Sequence, residues 1–156
     1  MIDSIKSKWW LFTILSGICM YLNPYFGLFS IFMIVVLFFD IIMFTIMKGH
    51  FYLFSKKIAD KTEHTKIIKK IFNTEILYFK IGKLFTTIVM SFVILVVVKQ
   101  NLDTQKIMAP YYIPVIQTNF FLQITCIILS VILIVFSFIL FCFYADSYKQ
   151  KLNELV

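Results

Sequence analysis

The residues from Trp9 to Met47 form one apolar block that contains a single charged side chain, Asp40. An α-helix rises about 1.5 Å per residue, so this block is about twice as long as one helix needs to cross the ~30 Å hydrocarbon layer of a bilayer. Two further apolar blocks follow, at residues 82–98 and 120–144. The pattern predicts an all-α, polytopic membrane protein.

The composition excludes the main soluble classes. Of the 156 residues, 61% are hydrophobic and only 15% are charged, and the mean hydropathy is +0.91. A soluble domain is nearer to half apolar and about a quarter charged, so a soluble enzyme or a disordered regulator does not fit. All fifteen basic residues are lysines, and together with the many Ile and Phe residues this usage indicates an AT-rich gene.

The first block is expected to break near residues 21–25. Pro24 lacks a backbone N–H, and Asn23 before it is restrained towards extended geometry, so the pair favours a turn. We therefore predict a helical hairpin with helix one at about 9–23 and helix two at about 26–47. A single span followed by a re-entrant piece remains the alternative for residues 9–47.

The rest of the chain completes a single membrane domain over residues 1–156. A basic cytoplasmic loop is predicted at 48–81, a third helix at 82–98, an outer loop at 99–119 and a fourth helix at 120–144. The outer loop contains Pro110 and Pro114, which are typical of turns. The predicted fold is thus four transmembrane helices arranged as two hairpins.

The distribution of lysines predicts the orientation. With four helices, thirteen lysines lie on the side that holds both termini and the basic loop, and only Lys99 and Lys106 lie opposite. Because cytoplasmic loops are enriched in Lys and Arg, both termini are expected inside. The expected location is a bacterial inner membrane, with an organelle inner membrane as the less favoured alternative.

Asp40 is the one charge that hydropathy does not explain. It lies about eight residues, or roughly 12 Å, from the cytoplasmic boundary of helix two. Counting about eight residues inward from the cytoplasmic boundary of each of the other helices reaches Ser16, Ser91 and Ser137. This agreement in depth predicts one intramembrane polar layer. This layer either forms a proton or cation site at Asp40 or fixes helix packing by hydrogen bonds.

The basic loop is the second candidate site, and Ile68, Ile71, Phe72, Ile76 and Phe79 recur within it near helical period. This periodicity predicts an amphipathic helix along the inner membrane surface, bound to anionic inner-leaflet lipids. The segment is either a determinant of topology or a docking site for a partner. Nucleic acid is not an expected partner, because the chain has no arginine to contact phosphate or guanine in a bidentate manner. The lysines concerned are Lys56, Lys57, Lys61, Lys66, Lys69, Lys70 and Lys80.

The sequence offers no catalytic motif. Cys19, Cys126 and Cys142 lie at separate depths, and His50 and His64 have no companions at metal-ligand spacing. We therefore expect no enzyme activity, no metal and no cofactor.

In size, in the Lys-rich segment 48–83, in the short outer turn at Asn23-Pro24 and in its lack of catalytic residues, the chain resembles two groups of small four-helix inner-membrane proteins. These groups are the immunity proteins against pore-forming colicins and the superinfection-exclusion proteins of temperate phages. The resemblance is one of topology and includes no diagnostic motif. It implies protection of a bacterial cell by contact with an incoming colicin or phage component inside the bilayer.

Two other classes remain open. The chain is alternatively a small ion- or proton-coupled transporter that uses Asp40, or an accessory subunit of a larger membrane complex.

Overall fold

The computed structural model describes residues 2–21, 27–59, 64–108 and 120–155, and every regular element in these ranges is an α-helix. The predicted all-α class is therefore confirmed. The helices are α1 (Ile2–Lys6), α2 (Trp9–Tyr21), α3 (Gly27–Ala59), α4 (Thr65–Met108) and α5 (Phe120–Glu154).

Three of the described helices are long and apolar enough to cross a membrane. The candidate spans are Phe32–Ala59 in α3, Thr65–Val96 in α4 and Ile124–Glu154 in α5. Helix α2 is apolar from Trp9 to Met20 but shorter, with 13 residues in all. At 1.5 Å per residue it measures about 20 Å. Helix length and composition thus indicate a membrane protein.

The four longer helices pack side by side in antiparallel order. Helix α2 lies against α3 and α5, and α4 lies against the same two helices on the other side. The ring of Trp9, at the start of α2, meets Phe44 late in α3 and Phe141 late in α5, with centroid distances of 5.9 and 5.1 Å. The start of α2, the later parts of α3 and α5 and the early part of α4 therefore share one end of the bundle.

At that end α3, α4 and α5 continue past α2 and form what we call the basic extension, defined as residues 45–59, 65–82 and 142–155. Its core includes Phe72, Ile76 and Leu152, which are almost completely buried. Helix α3 runs 15 residues beyond Phe44, to Ala59, and this corresponds to about 22 Å. The bundle is therefore longer than its α2 part by several helical turns.

Much of the exterior is apolar. On α3, for example, Val35, Phe38 and Ile42 are each more than half exposed. Such large apolar side chains are unfavourable in water but are solvated by lipid chains. The exposed apolar side chains therefore support the same conclusion as the hydropathy of the helices, that this is a membrane protein.

Helices occupy much of the two segments that we predicted as loops. Helix α3 continues through residues 48–59, α4 begins at Thr65 and also continues through 99–108. A change from apolar to charged residues does not break a helix, whereas a proline does, and Pro110 follows the last helical residue Met108. The predicted turn at 22–25 and the rest of the outer loop, 109–119, lie outside the described residues.

The predicted amphipathic helix is present as the first half of α4, but protein covers its apolar side. Ile68, Phe72, Ile76 and Phe79 are buried against α3 and α5. Ile71, which we had grouped with them, is exposed on the opposite face. The sequence period identified the helix correctly, while the surface that buries it belongs to the bundle and not to the inner leaflet.

We predict that Phe72→Ala destabilises the protein by about 3–5 kcal/mol, because it removes a completely buried ring from the core of the basic extension. The control is Tyr52→Ala, which changes an aromatic side chain that is 69% exposed in the same extension. Unfolding by denaturant in mild detergent measures both effects. Equal losses in the two variants would contradict the packing of the extension.

Candidate functional site

Asp40 of α3 and Lys83 of α4 form a buried ion pair at the centre of the candidate site. The side chains are only 3% and 4% exposed, and the Lys83 ammonium donates a hydrogen bond to Asp40 Oδ2. Each charge alone is costly to place in a low-dielectric interior, and pairing offsets much of that cost. The antiparallel packing of α3 on α4 brings the two residues to the same level.

Trp9 of α2 covers this pair. The Lys83 ammonium lies 5.0 Å from the centroid of the Trp9 ring, a cation–π geometry. Trp9 itself is 1% exposed and makes edge-to-face contacts with Phe44 and Phe141. Aromatic rings thus exclude water from the pair and strengthen the attraction between its charges. Among the described residues the Trp9 indole N–H has no hydrogen-bond partner.

Gly82 lies beside the pair, where α3 and α4 are in contact. A Cβ atom at this position would lie 3.0 Å from Met43 Cε, closer than an ordinary van der Waals contact. One turn further along α4, Thr87 Oγ1 donates to the Lys83 carbonyl at 2.8 Å, so this hydroxyl is satisfied within its own helix. The surroundings of the ion pair are therefore tightly packed.

Hydroxyl groups join α2 to α5 in two places. Ser16 Oγ lies 2.7 Å from the Ser130 carbonyl and Ser130 Oγ lies 3.1 Å from the Ser16 carbonyl. Ser137 Oγ donates to the Trp9 carbonyl at 2.9 Å and lies 2.7 Å from Thr13 Oγ1. Because a serine hydroxyl has only one proton, Thr13 supplies the proton of the latter contact. Small side chains at these positions let the two helices approach closely.

The four residues predicted to form one polar layer therefore divide between two helix interfaces. Asp40 lies between α3 and α4, whereas Ser16 and Ser137 lie between α2 and α5. Ser91 is half-buried in α4, and no hydrogen bond links it to the other three in the described structure. Estimated depth in the membrane does not determine which side of a helix a residue occupies, and this explains the difference.

Sequence reasoning missed Lys83, Thr13 and Ser130. Lys83 is the second residue of the predicted third helix, 82–98, but we counted it with the lysines of the adjoining segment 48–83. The unpaired acid in the preceding helix was a signal for a cation at this position. Thr13 lies three residues before Ser16, and Ser130 lies seven residues before Ser137. Both spacings keep a residue on the same helix face, so they identify these partners in retrospect.

The predicted basic residues lie mainly on the surface of the basic extension. Lys56, Lys57, Lys66 and Lys70 are exposed, while Lys61 lies outside the described residues. The other two make contacts with α5: Lys80 Nζ lies 2.6 Å from Asp146 Oδ1, and Lys69 Nζ lies 3.4 Å from the Asn153 carbonyl. Two of these lysines thus take part in the packing of α4 on α5, and the exposed ones place positive charge on the surface.

His50 has no companion at metal-ligand spacing along the sequence. Its Nδ1 lies 2.9 Å from Glu75 Oε2, which joins α3 to α4 a second time. Among the described residues no group of three or more His, Cys, Asp or Glu side chains is placed to hold a metal ion. The His50–Glu75 contact, the Asp40–Lys83 pair and the hydroxyl contacts of α2 with α5 all join different helices.

Comparisons with known proteins identify no relative of the chain. No protein-family model, no curated protein and no solved structure matches the chain.

We predict that Lys83→Met destabilises the protein by about 3–5 kcal/mol, because it leaves the buried Asp40 carboxylate without its counter-charge. The combined variant Asp40→Leu/Lys83→Met should regain most of this loss, because neither charge is then buried. Denaturant unfolding in detergent measures both variants, with the exposed Lys66→Met as the control. A double variant that loses as much as the sum of the single losses would contradict the pairing.

We also predict that Ser137→Ala weakens the contact between α2 and α5. Its cost should be about 0.6 kcal/mol and no more than roughly 2 kcal/mol, as for other hydrogen bonds between membrane helices. Ser91→Ala is the matched control and should leave stability unchanged. If Ser91→Ala costs as much as Ser137→Ala, the predicted single polar layer would be restored in place of the two interfaces described above.

Proposed function

We propose that this chain is a non-enzymatic protein of the bacterial inner membrane that protects its host cell by contact with incoming machinery inside the bilayer. The incoming machinery is a pore-forming bacteriocin or a phage component, so that the activity is bacteriocin immunity or superinfection exclusion. In this proposal the exterior of the bundle is the working surface.

The observation that carries the proposal is the internal pairing of the polar side chains in the described bundle. Asp40 pairs with Lys83, and the buried hydroxyls of α2 pair with those of α5. These groups hold helices together and leave the apolar exterior available for contacts with other membrane proteins. A protein that acts by such contacts needs a stable shape and no reactive group.

A topology of four spans with both termini inside accompanies this proposal. Support comes from α2, which packs antiparallel between α3 and α5 although it is shorter than they are. Further support comes from the basic extension, which collects Lys56, Lys66, Lys70 and Lys149 at the end of the bundle where α2 begins. Such a concentration of lysine is typical of the cytoplasmic side.

The proposal predicts that expression of the chain alone protects sensitive bacteria against a particular pore-forming colicin or phage. Survival in a panel of both agents measures protection, and a potential-sensitive dye should show an unchanged resting membrane potential. Alanine substitutions at exposed exterior positions, such as Phe38→Ala and Ile132→Ala, locate the contacting face, since the face that binds the agent loses protection without a loss of stability. Unaltered sensitivity to every agent in the panel would contradict the proposal.

A second candidate function is proton- or ion-coupled transport, and the buried Asp40–Lys83 pair is the observation that favours it. A carboxylate and an ammonium group in contact within a membrane bundle are able to exchange a proton when one of them gains another partner. Purified protein in liposomes should then show pH-dependent flux that Asp40→Asn abolishes. Flux that persists in Asp40→Asn would exclude a role for this pair.

A further inference from the structure

The outer face of α4 has a regular apolar pattern that takes no part in the packing of the bundle. We call it the α4 stripe. Its nine residues are separated alternately by four and three positions, and all of them are exposed, on the side of the helix opposite Phe72, Ile76 and Lys83. Eight of the nine are apolar. The stripe consists of Ile67, Ile71, Thr74, Tyr78, Ile81, Phe85, Ile88, Phe92 and Leu95.

The α4 stripe is longer than the hydrocarbon layer of a bilayer. From Ile67 to Leu95 the helix rises about 42 Å, whereas the hydrocarbon layer is ~30 Å thick. The part from Ile67 to Tyr78 belongs to the basic extension, where charged residues such as Lys66, Lys70 and Glu75 exclude the helix from hydrocarbon. About three turns of exposed apolar surface therefore lie outside the layer that would solvate them.

The spacing of the stripe indicates what covers it. Apolar residues at intervals of three and four over four heptads match the a and d positions of a coiled coil, in which two helices wind around each other. Any exposed helix face has this spacing, so the continuation of the stripe beyond the hydrocarbon layer is the feature that favours a partner helix. A partner helix must cross the same membrane and continue about as far beyond it. Helix α4 of a second copy meets both conditions, because every copy of the chain inserts in the same orientation and its α4 is then parallel to the first.

The charges beside the stripe fit a parallel pair of α4 helices. With Ile71 at an a position, Lys70 occupies g and Glu75 occupies e. In a parallel two-stranded coiled coil the g residue of one helix faces the e residue five positions later in the other. Lys70 of each copy would therefore face Glu75 of the other copy, and two favourable contacts would form about the two-fold axis. Glu75 Oε2 already contacts His50 of its own chain, so the contact with Lys70 of the other copy would be shared with that intrachain partner.

We propose that two copies of this chain associate through the α4 stripe as a parallel coiled coil whose two-fold axis runs along the membrane normal. The contact begins within the bilayer and continues into the basic extension. The lipid-exposed surfaces of α3 and α5 remain outside this interface, so they stay available for other contacts. The association does not depend on the protective or transport function considered above.

Cysteine crosslinking tests the position of the interface. The starting chain carries Cys19→Ser, Cys126→Ser and Cys142→Ser, and single cysteines are then introduced in native membranes. Disulfide-linked dimers should form on oxidation at the a and d positions, with Ile71→Cys, Thr74→Cys and Tyr78→Cys at least about tenfold more efficient than Leu53→Cys. Leu53 is the matched control because it lies in the same extension, on α3, and is 55% exposed, as is Ile67 of the stripe.

A uniform crosslinking efficiency at stripe and control positions would overturn the proposal, because it would indicate random collision. Lack of crosslinking at every stripe position would also overturn it and would leave lipid or another protein as the occupant. A third contrary result would be efficient crosslinking at Leu53→Cys alone, which would place the interface on α3.

A charge exchange tests the register independently. Lys70→Glu alone and Glu75→Lys alone place like charges opposite each other at both ends of the two-fold contact. Each should therefore lower the dimer fraction measured by photobleaching steps in nanodiscs, by about three- to tenfold in dimerisation constant. The combined Lys70→Glu/Glu75→Lys variant should recover dimerisation. The combined variant also lacks the His50–Glu75 contact within each chain. The control His50→Gln lacks the same ion pair and should dimerise like the unchanged chain. If the combined variant stays much more monomeric than His50→Gln, the parallel register is wrong.

Discussion

A carboxylate and an ammonium group buried among apolar helices must meet each other, because the bilayer interior offers no water to solvate either charge. In this protein the two groups are Asp40 and Lys83, and their contact determines the register of α3 against α4. Trp9 lies over the ammonium group and contacts both α3 and α5, so the start of α2 is aligned with the same level. The hydroxyl pairs between α2 and α5 follow from this alignment, since Thr13 and Ser16 occupy the same face of α2 as Trp9.

Because buried polar groups need partners within the bundle, the interior and the exterior have different roles. Buried polar groups make specific contacts between helices, while the large apolar side chains on the outside suit lipid or another membrane protein. This arrangement favours functions that depend on surface contact and shape. Transport through the Asp40–Lys83 pair requires in addition that the pair separates, which means opening the aromatic contacts of Trp9 that now exclude water.

The helical structure of the basic extension changes the interpretation of the lysine-rich segment. In a flexible loop, lysines serve mainly as a topology signal, but here α3, α4 and α5 hold them on a helical bundle with its own core of Phe72, Ile76 and Leu152. Lys69 and Lys80 contact α5, whereas Lys56, Lys66 and Lys70 face outwards. The outward lysines and the α4 stripe therefore lie in a fixed arrangement on the surface of the bundle.

The helical class, the apolar spans and the position of the charge-rich region were predictable from the sequence, because hydropathy and period depend on residues close together in the chain. Helix ends were less predictable, since the charged residues after Met47 continue the helix and only breakers such as Pro110 signal an end. The partner of Asp40 was decided by tertiary structure alone: Lys83 is 43 residues away, and depth in the membrane says nothing about which helix faces which. Likewise Ser16 and Ser137 were predicted from the sequence to belong to one polar layer, but the packing of α2 on α5 paired them with Ser130 and Thr13 and left Ser91 apart. The sequence by itself determined the helical class and the apolar segments that are long enough to span a membrane, and the relative rotation of the packed helices decided which polar residues meet.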